Sequence, residues 1–169
     1  MPHRLDRVAR RGARYARGMS GFPGLDVCVH SSHVDMFGHV NHTRYLEYME
    51  WCRFAWADHH GFPIPAMIEH DRVAPAILRV QIQYRRECRY GDRLRVQAEA
   101  LSARRMIGRI KQTIHAILPD GSQGELVADA ELTFVMLNMD TRKAAPLVPL
   151  FLALVPTADS PAAKSPAAE

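Results

Sequence analysis

The stretch Arg44-Tyr45-Leu46-Glu47-Tyr48-Met49-Glu50-Trp51-Cys52-Arg53-Phe54-Ala55-Trp56-Ala57-Asp58 decides the fold. Its charged residues Arg44, Glu47, Glu50 and Arg53 recur every three positions and make one narrow stripe. Tyr45, Leu46, Tyr48, Met49, Trp51, Cys52, Phe54 and Trp56 cover the remaining surface. A helix that is apolar over most of its circumference is expected to be buried on most sides. It should end near His59-His60-Gly61, and Pro63 and Pro65 forbid its continuation.

Upstream, Leu25, Val27 and Val29 alternate with Asp26, Cys28 and His30, the period of a short strand. This strand runs into a polar loop closed by Gly38. The helix then starts at Asn41 to Thr43, with Asn41 or Thr43 as N-cap.

Downstream, Leu78, Val80, Ile82 and Tyr84 alternate with Arg79, Gln81, Gln83 and Arg85, a strand wetted on one face. A Tyr90-Gly91-Asp92 turn leads to Leu94, Val96 and Ala98 on a second strand. Residues 106–118 form a third, less regular run, ended by Pro119-Asp120-Gly121-Ser122. The fourth, Leu126 to Leu137, places Leu126, Ala128, Ala130, Leu132, Phe134 and Met136 on one face, with Asp129, Glu131 and Thr133 on the other.

The expected class is α+β, a long central helix wrapped by a curved antiparallel sheet. Strands this long leave an edge that commonly pairs with a second subunit.

The 169 residues and 47% hydrophobic content suit one domain with a sizeable core. No stretch approaches the roughly 20 apolar residues that span a bilayer. Leu147 to Val155 is short and hemmed in by Pro146, Pro149 and Pro156. The N-terminus lacks an apolar signal region, so a cytoplasmic location is expected.

The net charge of +4 is unevenly placed. Six arginines and one aspartate in residues 1–18 account for +5, which leaves −1 on the rest. A nearly neutral body offers no face for nucleic acid. The Arg-rich start is a basic arm, a transit-like peptide, or an extension upstream of a biological start at Met19. The division expected is 1–20 disordered extension, 21–155 domain, and 156–169 disordered tail, the last rich in Ala, Pro and Ser. Cys28, Cys52 and Cys88 fit neither a disulfide framework nor a CxxC site.

The densest polar cluster is His30-Ser31-Ser32-His33-Val34-Asp35-Met36-Phe37-Gly38-His39-Val40-Asn41-His42, between strand and helix start. First-turn N–H groups are unpaired and carry the positive end of the helix dipole. A carbonyl placed on them is polarised, and an oxyanion formed there is stabilised. Asp35 lies close enough to act on the carbonyl carbon as base or nucleophile. Gly38 lets the backbone turn tightly.

The run Asp35-Met-Phe-Gly38-His39-Val40-Asn41-His42-x-x-Tyr45-Leu46-x-Tyr48-x-Glu50-x-x-Arg53 resembles the signature of hotdog-fold acyl-CoA thioesterases of the 4-hydroxybenzoyl-CoA thioesterase-like group. The resemblance extends over about residues 24–150. It implies a hotdog fold and hydrolysis of an acyl-CoA to free acid and coenzyme A. It also implies that Asp35 is the catalytic carboxylate and that the backbone N–H near His42 is the oxyanion donor.

Plant acyl-carrier-protein thioesterases are similar over the same stretch. Asp35 and His39 match their pattern, while Phe37 and His42 replace two of its asparagines. His39 therefore stays open between a catalytic and a structural role, and Asn41 between orienting the loop and capping the helix. Gly38 and Tyr45 are carried over as substrate-binding. Arg85 and Arg86, with Arg89, or Arg104, Arg105 and Arg109, are candidates for the coenzyme A phosphates or are solvated strand faces.

Glu50 is read as an ion-pair partner of Arg53, with a direct catalytic role as the alternative. His30-x-x-His33 and His39-x-x-His42 lack a zinc-helix glutamate, and no metal or other cofactor is expected, coenzyme A being part of the substrate. A homodimer or homotetramer is the expected assembly. Tyr48, Trp51, Met67 and Ile68 line an acyl tunnel or belong to the core. Two other readings remain: a hotdog hydratase or dehydratase, which the Asp35-x3-His39 spacing disfavours, and a non-catalytic acyl-thioester binding module.

Overall fold

The computed structural model describes residues 21–156. The expectations for the N-terminal extension and the tail therefore fall outside the described residues, apart from Pro156. The elements are β1 (Leu25–Cys28), α1 (His42–His59), α2 (Ile64–Ala66), β2 (Val73–Tyr84), β3 (Arg93–Arg104), β4 (Ile107–Ile117), β5 (Gln123–Asn138), β6 (Ala144–Ala145) and α3 (Pro149–Leu154). A 3-10 turn at Ser31–His33 precedes α1, and a π turn at Met67–Asp71 follows α2.

One antiparallel sheet runs in the order β1-β3-β4-β5-β2. β4 begins with Ile107 opposite Val135, and β6 continues that side of β5 at Met136 and Leu137. The period-two pattern in β3, β4 and β5 turns Leu94, Val96, Ala98, Ile110, Ile114, Ala128, Ala130, Leu132, Phe134 and Met136 inward, where they are buried. α1 lies across this face and buries Tyr45, Tyr48, Met49, Cys52, Trp56 and Ala57. The Cys52 thiol donates to the Val96 carbonyl at 3.3 Å. Fully burying one large apolar side chain stabilises by about 1.5–3 kcal/mol, so this interface holds the helix in place.

Among the described residues the core carries two buried polar side chains, His33 and Gln112. Gln112, on the inner face of β4, donates from Nε2 to the Met49 carbonyl at 2.9 Å and accepts from Arg53 Nη1 at 2.9 Å. A buried amide with both ends used costs little, whereas an orphaned one costs about 1–3 kcal/mol.

Three details differ from the sequence reading. α1 is buried on one side only: Leu46, Trp51 and Phe54 remain exposed in the single chain. The sheet curls over one half of the helix, and its apolar remainder is left for something else to cover.

β2 begins at Val73 and its pairing with β5 slips between Ile77 and Arg79, so Leu78 is an extra, bulged residue. Ile77 pairs with Phe134, and Val80, Ile82 and Tyr84 pair with Leu132, Ala130 and Ala128, which puts these four on the inner face. Leu78 does not share it and is 60% exposed.

Pro63 and Pro65 end α1 but also start a new helical turn, Pro63 as N-cap and Pro65 in the first turn of α2. Likewise Pro149 opens α3, and Phe151 buries its ring against Phe134, centroids 5.0 Å apart.

Candidate active site

The loop from Val34 to Val40 is closed at its neck by a bridge between those two residues. Above the neck the Asp35 N–H donates to the His39 carbonyl at 3.1 Å, and the Gly38 N–H to the Asp35 carbonyl at 3.0 Å. Gly38 has φ +81°, a left-handed conformation that disfavours other residues, although a Cβ there would meet nothing within 4 Å. Conformation, not space, selects glycine. Met36 and Phe37 at the tip are 92% and 76% exposed.

Asp35 is half-buried and its carboxylate is fixed from two sides. Oδ1 accepts the Phe37 N–H at 2.9 Å, and Oδ2 accepts Asn41 Nδ2 at 3.3 Å. Asn41 is the N-cap of α1, its Oδ1 accepting the Thr43 N–H at 3.0 Å. One side chain thus caps the helix and tethers the carboxylate, so the two roles left open for Asn41 coexist. The His42 N–H is the first of α1 and has no intrahelical acceptor by position.

The neck is braced from elsewhere. The Val40 N–H donates to the Cys88 carbonyl at 2.7 Å, and the Tyr84 hydroxyl to the His42 carbonyl at 3.1 Å. The Asn41 N–H donates to the His33 carbonyl at 2.9 Å. His33 is buried, and its Nδ1 meets the His30 N–H at 3.1 Å and the Tyr48 hydroxyl at 2.7 Å. Burial pushes the Tyr48 phenol up to about 12, so it stays a hydrogen-bond donor at neutral pH.

Several residues singled out in the sequence meet here. Asp35, Gly38, Asn41 and His42 are brought together at the helix start. His39 joins through its backbone, while its ring stacks on Phe37 with centroids 6.1 Å apart. His42 is exposed, its ring edge-on to Tyr84. Tyr45 is 3% exposed and packs against Tyr48 and Tyr84, beneath the site and not on its surface. Burial raises its phenol well above the usual range.

Arg85 and Arg86 follow β2 directly, on the segment that runs to Cys88 at the neck. Arg85 pairs with Asp129 and Arg86 with Glu125, the latter at 2.8 Å. Arg89 pairs with Glu87 at 2.7 Å.

Glu50 lies nine residues past Asn41, about 13 Å along the helix axis. It faces Arg53 at 4.0 Å, while Glu47 pairs with Arg44. The rings of His30 and His33 meet edge to face at 5.3 Å. Among the described residues, no group of three or more His, Cys, Asp or Glu gathers to hold a metal ion.

Sequence reasoning missed Tyr48, Tyr84 and Cys88 as braces. It noticed His33 only as a possible metal ligand, since its partner Tyr48 lies fifteen residues away.

Further along α1 a cavity of about 280 Å³ opens between the helix, the turn at Met67–Asp71, β2 and α3. Phe54, Met67, Ile77, Phe134, Met136 and Phe151 line it, and Glu50 and Arg53 supply its charged wall. Of the four residues considered for an acyl tunnel, Met67 and Ile68 line this cavity. Tyr48 is core, and Trp51 is exposed. No helix of the described residues is long and apolar enough to cross a membrane.

Comparison with known proteins agrees with this geometry. The sequence profile of the thioesterase-like superfamily matches residues 29–155. The long-chain acyl-CoA thioesterase FadM of Escherichia coli is 31% identical over 116 residues, 69% of this chain and 83% of FadM. The solved structure of the probable thioesterase YbaW from Escherichia coli is 27% identical with a TM-score of 0.64, covering 78% of this chain and 98% of that one. The 1,4-dihydroxy-2-naphthoyl-CoA thioesterase Slr0204 from Synechocystis shares the fold at 20% identity and a TM-score of 0.69, covering 81% and 97%. The curved sheet around α1 is a hotdog fold, and the chain belongs to the thioesterase-like superfamily.

Proposed function

We propose that this protein is an acyl-CoA thioesterase that hydrolyses a long-chain acyl-CoA to the free acid and coenzyme A. The observation that carries the reaction is the fixed Asp35 carboxylate beside the first N–H groups of α1. Its likeness to FadM and the apolar cavity farther along the same helix support a long aliphatic acyl group.

In the reaction, Asp35 takes a proton from water as the water oxygen bonds to the thioester carbon. The carbonyl π electrons move onto oxygen, where the His42 N–H and the helix dipole receive the charge. One such donor is worth about 3 kcal/mol in a transition state. The oxyanion collapses, the C–S bond breaks, and the coenzyme A thiolate leaves and takes up a proton. In the variant route Asp35 itself bonds to the carbon, giving a mixed anhydride that water then opens. Arg85 and Arg86 are placed to exchange their carboxylate partners for coenzyme A phosphates.

Two copies are proposed to pair through β2, an edge strand that leaves Ile77, Leu78, Val80 and Tyr84 exposed. A homodimer covers this edge, and a homotetramer would stack two such pairs. A cytoplasmic location is proposed with it.

Asp35→Asn keeps the size of the side chain and the bond from the Phe37 N–H, but removes the base and, having one oxygen for two donors, the bond from Asn41 Nδ2. Its kcat should fall by about a hundredfold or more with the melting temperature preserved. Wild-type kcat in this variant, followed by free-thiol release over an acyl-CoA series, would sink the assignment. An enoyl absorbance change without thiol release would favour the hydratase reading.

A further inference from the structure

We propose that His33 is a positioning residue: its neutral ring, locked by Tyr48, holds the Asn41 backbone so that the Asn41 amide stays on Asp35. The inference rests on the reading of Asp35 as the reacting carboxylate.

The contacts form one relay. The Tyr48 hydroxyl sits 2.7 Å from His33 Nδ1, and the His30 N–H donates to the same nitrogen at 3.1 Å. A backbone N–H can only donate, so Nδ1 is the acceptor and the ring proton is on Nε2. Tyr48 must then donate as well. With the ring fixed, the Ser31–His33 turn presents the His33 carbonyl to the Asn41 N–H at 2.9 Å. The Asn41 side chain divides between the helix cap and Asp35.

Protonation of His33 breaks this relay. A proton on Nδ1 faces the His30 N–H at a distance that suits only a donor and an acceptor. Tyr48 can rotate to accept, but the His30 amide cannot. The charged and titratable groups around the ring are His30 on its own turn and Arg44, Glu47 and Tyr48 on α1. Arg44 and His30 oppose a positive ring, and the Glu47 charge is already engaged by Arg44 at 2.7 Å. Burial acts in the same direction and holds His33 below the usual histidine range. Acidification should therefore loosen Asp35 through His33.

The test compares His33→Asn, His33→Ala, Tyr48→Phe and Asp35→Asn on an acyl-CoA, reading kcat and KM across pH. Asparagine offers an amide oxygen near the place of Nδ1 and does not titrate. His33→Asn should keep most of kcat and lose the histidine-dependent acid limb. His33→Ala should lose about tenfold to a hundredfold in kcat with KM little changed, the size expected when a reacting group is misplaced. Tyr48→Phe removes one donor to the neutral ring and should move the acid limb to higher pH. Faster hydrogen exchange at the Asn41 amide in His33→Ala, but not in His33→Asn, would report the relay without any turnover.

An unmoved acid limb in folded Tyr48→Phe, or equal losses in His33→Asn and His33→Ala, overturns the proposal. Full activity in His33→Ala with an inactive Asp35→Asn overturns the relay alone. Full activity in Asp35→Asn overturns the underlying reading instead.

Discussion

Asn41 joins Asp35 to α1 through the two ends of one amide: Oδ1 accepts the Thr43 N–H at 3.0 Å while Nδ2 reaches Asp35 Oδ2 at 3.3 Å. The helix that completes the core also aims the carboxylate, and the two duties can be separated by substitution.

Asn41→Ser retains a hydroxyl that caps the helix and removes the donor to Asp35. It should melt close to wild type and lose activity. Asn41→Ala loses the cap too, at about 1 kcal/mol. Thermal unfolding beside steady-state kinetics checks both, and a serine variant with wild-type kcat would dismiss the tether.

The cavity beyond Glu50 should select for acyl length. Ala74 lines it, and Ala74→Phe would fill part of its volume. Each buried methylene is worth about 0.8 kcal/mol, so losing two of them lowers kcat/KM by roughly tenfold. Palmitoyl-CoA turnover should drop by that order while hexanoyl-CoA turnover stays near wild type. Equal losses on both would place the chain elsewhere.

Stability should weaken in mild acid. His33 and His60 are both held below the ordinary histidine value of 6.5, mainly by burial, with His30 and Arg44 adding to the first and His59 to the second. The unfolded chain therefore takes up protons that the folded chain refuses. This contribution is complete above pH 6.5 and is lost as pH falls from there through the folded values. Urea midpoints at successive pH values should show the decline, and the His33→Asn, His60→Asn double variant should flatten it.

Much of this architecture was legible because period and burial agree along β3 and β5. Leu94 to Ala98 and Ala128 to Met136 alternate without interruption, and each inward residue is buried. β2 was harder: the extra residue at Leu78 shifts its phase, and no periodicity within one strand reveals a slip against its neighbour. Pro63 and Pro65 read as stops because a proline's role as a helix opener depends on the chain that follows. The half-exposed surface of α1 was not legible either. Apolarity records that a face will be covered, not which chain covers it.

The site divides in the same way. Asp35, Gly38 and the helix start were readable from a contiguous run and its family likeness. The double bond of Asn41 and the bracing by His33, Tyr48, Tyr84 and Cys88 arise between segments, and spacing along the chain cannot show them.

The clasp of Val40 by Cys88 and of His42 by Tyr84 has a consequence for biosynthesis. A nascent polypeptide of sixty residues would already contain every group assigned to the chemistry, yet neither clasp. Competence must therefore arrive late, once the ribosome has delivered the strand-to-strand connection that follows Tyr84.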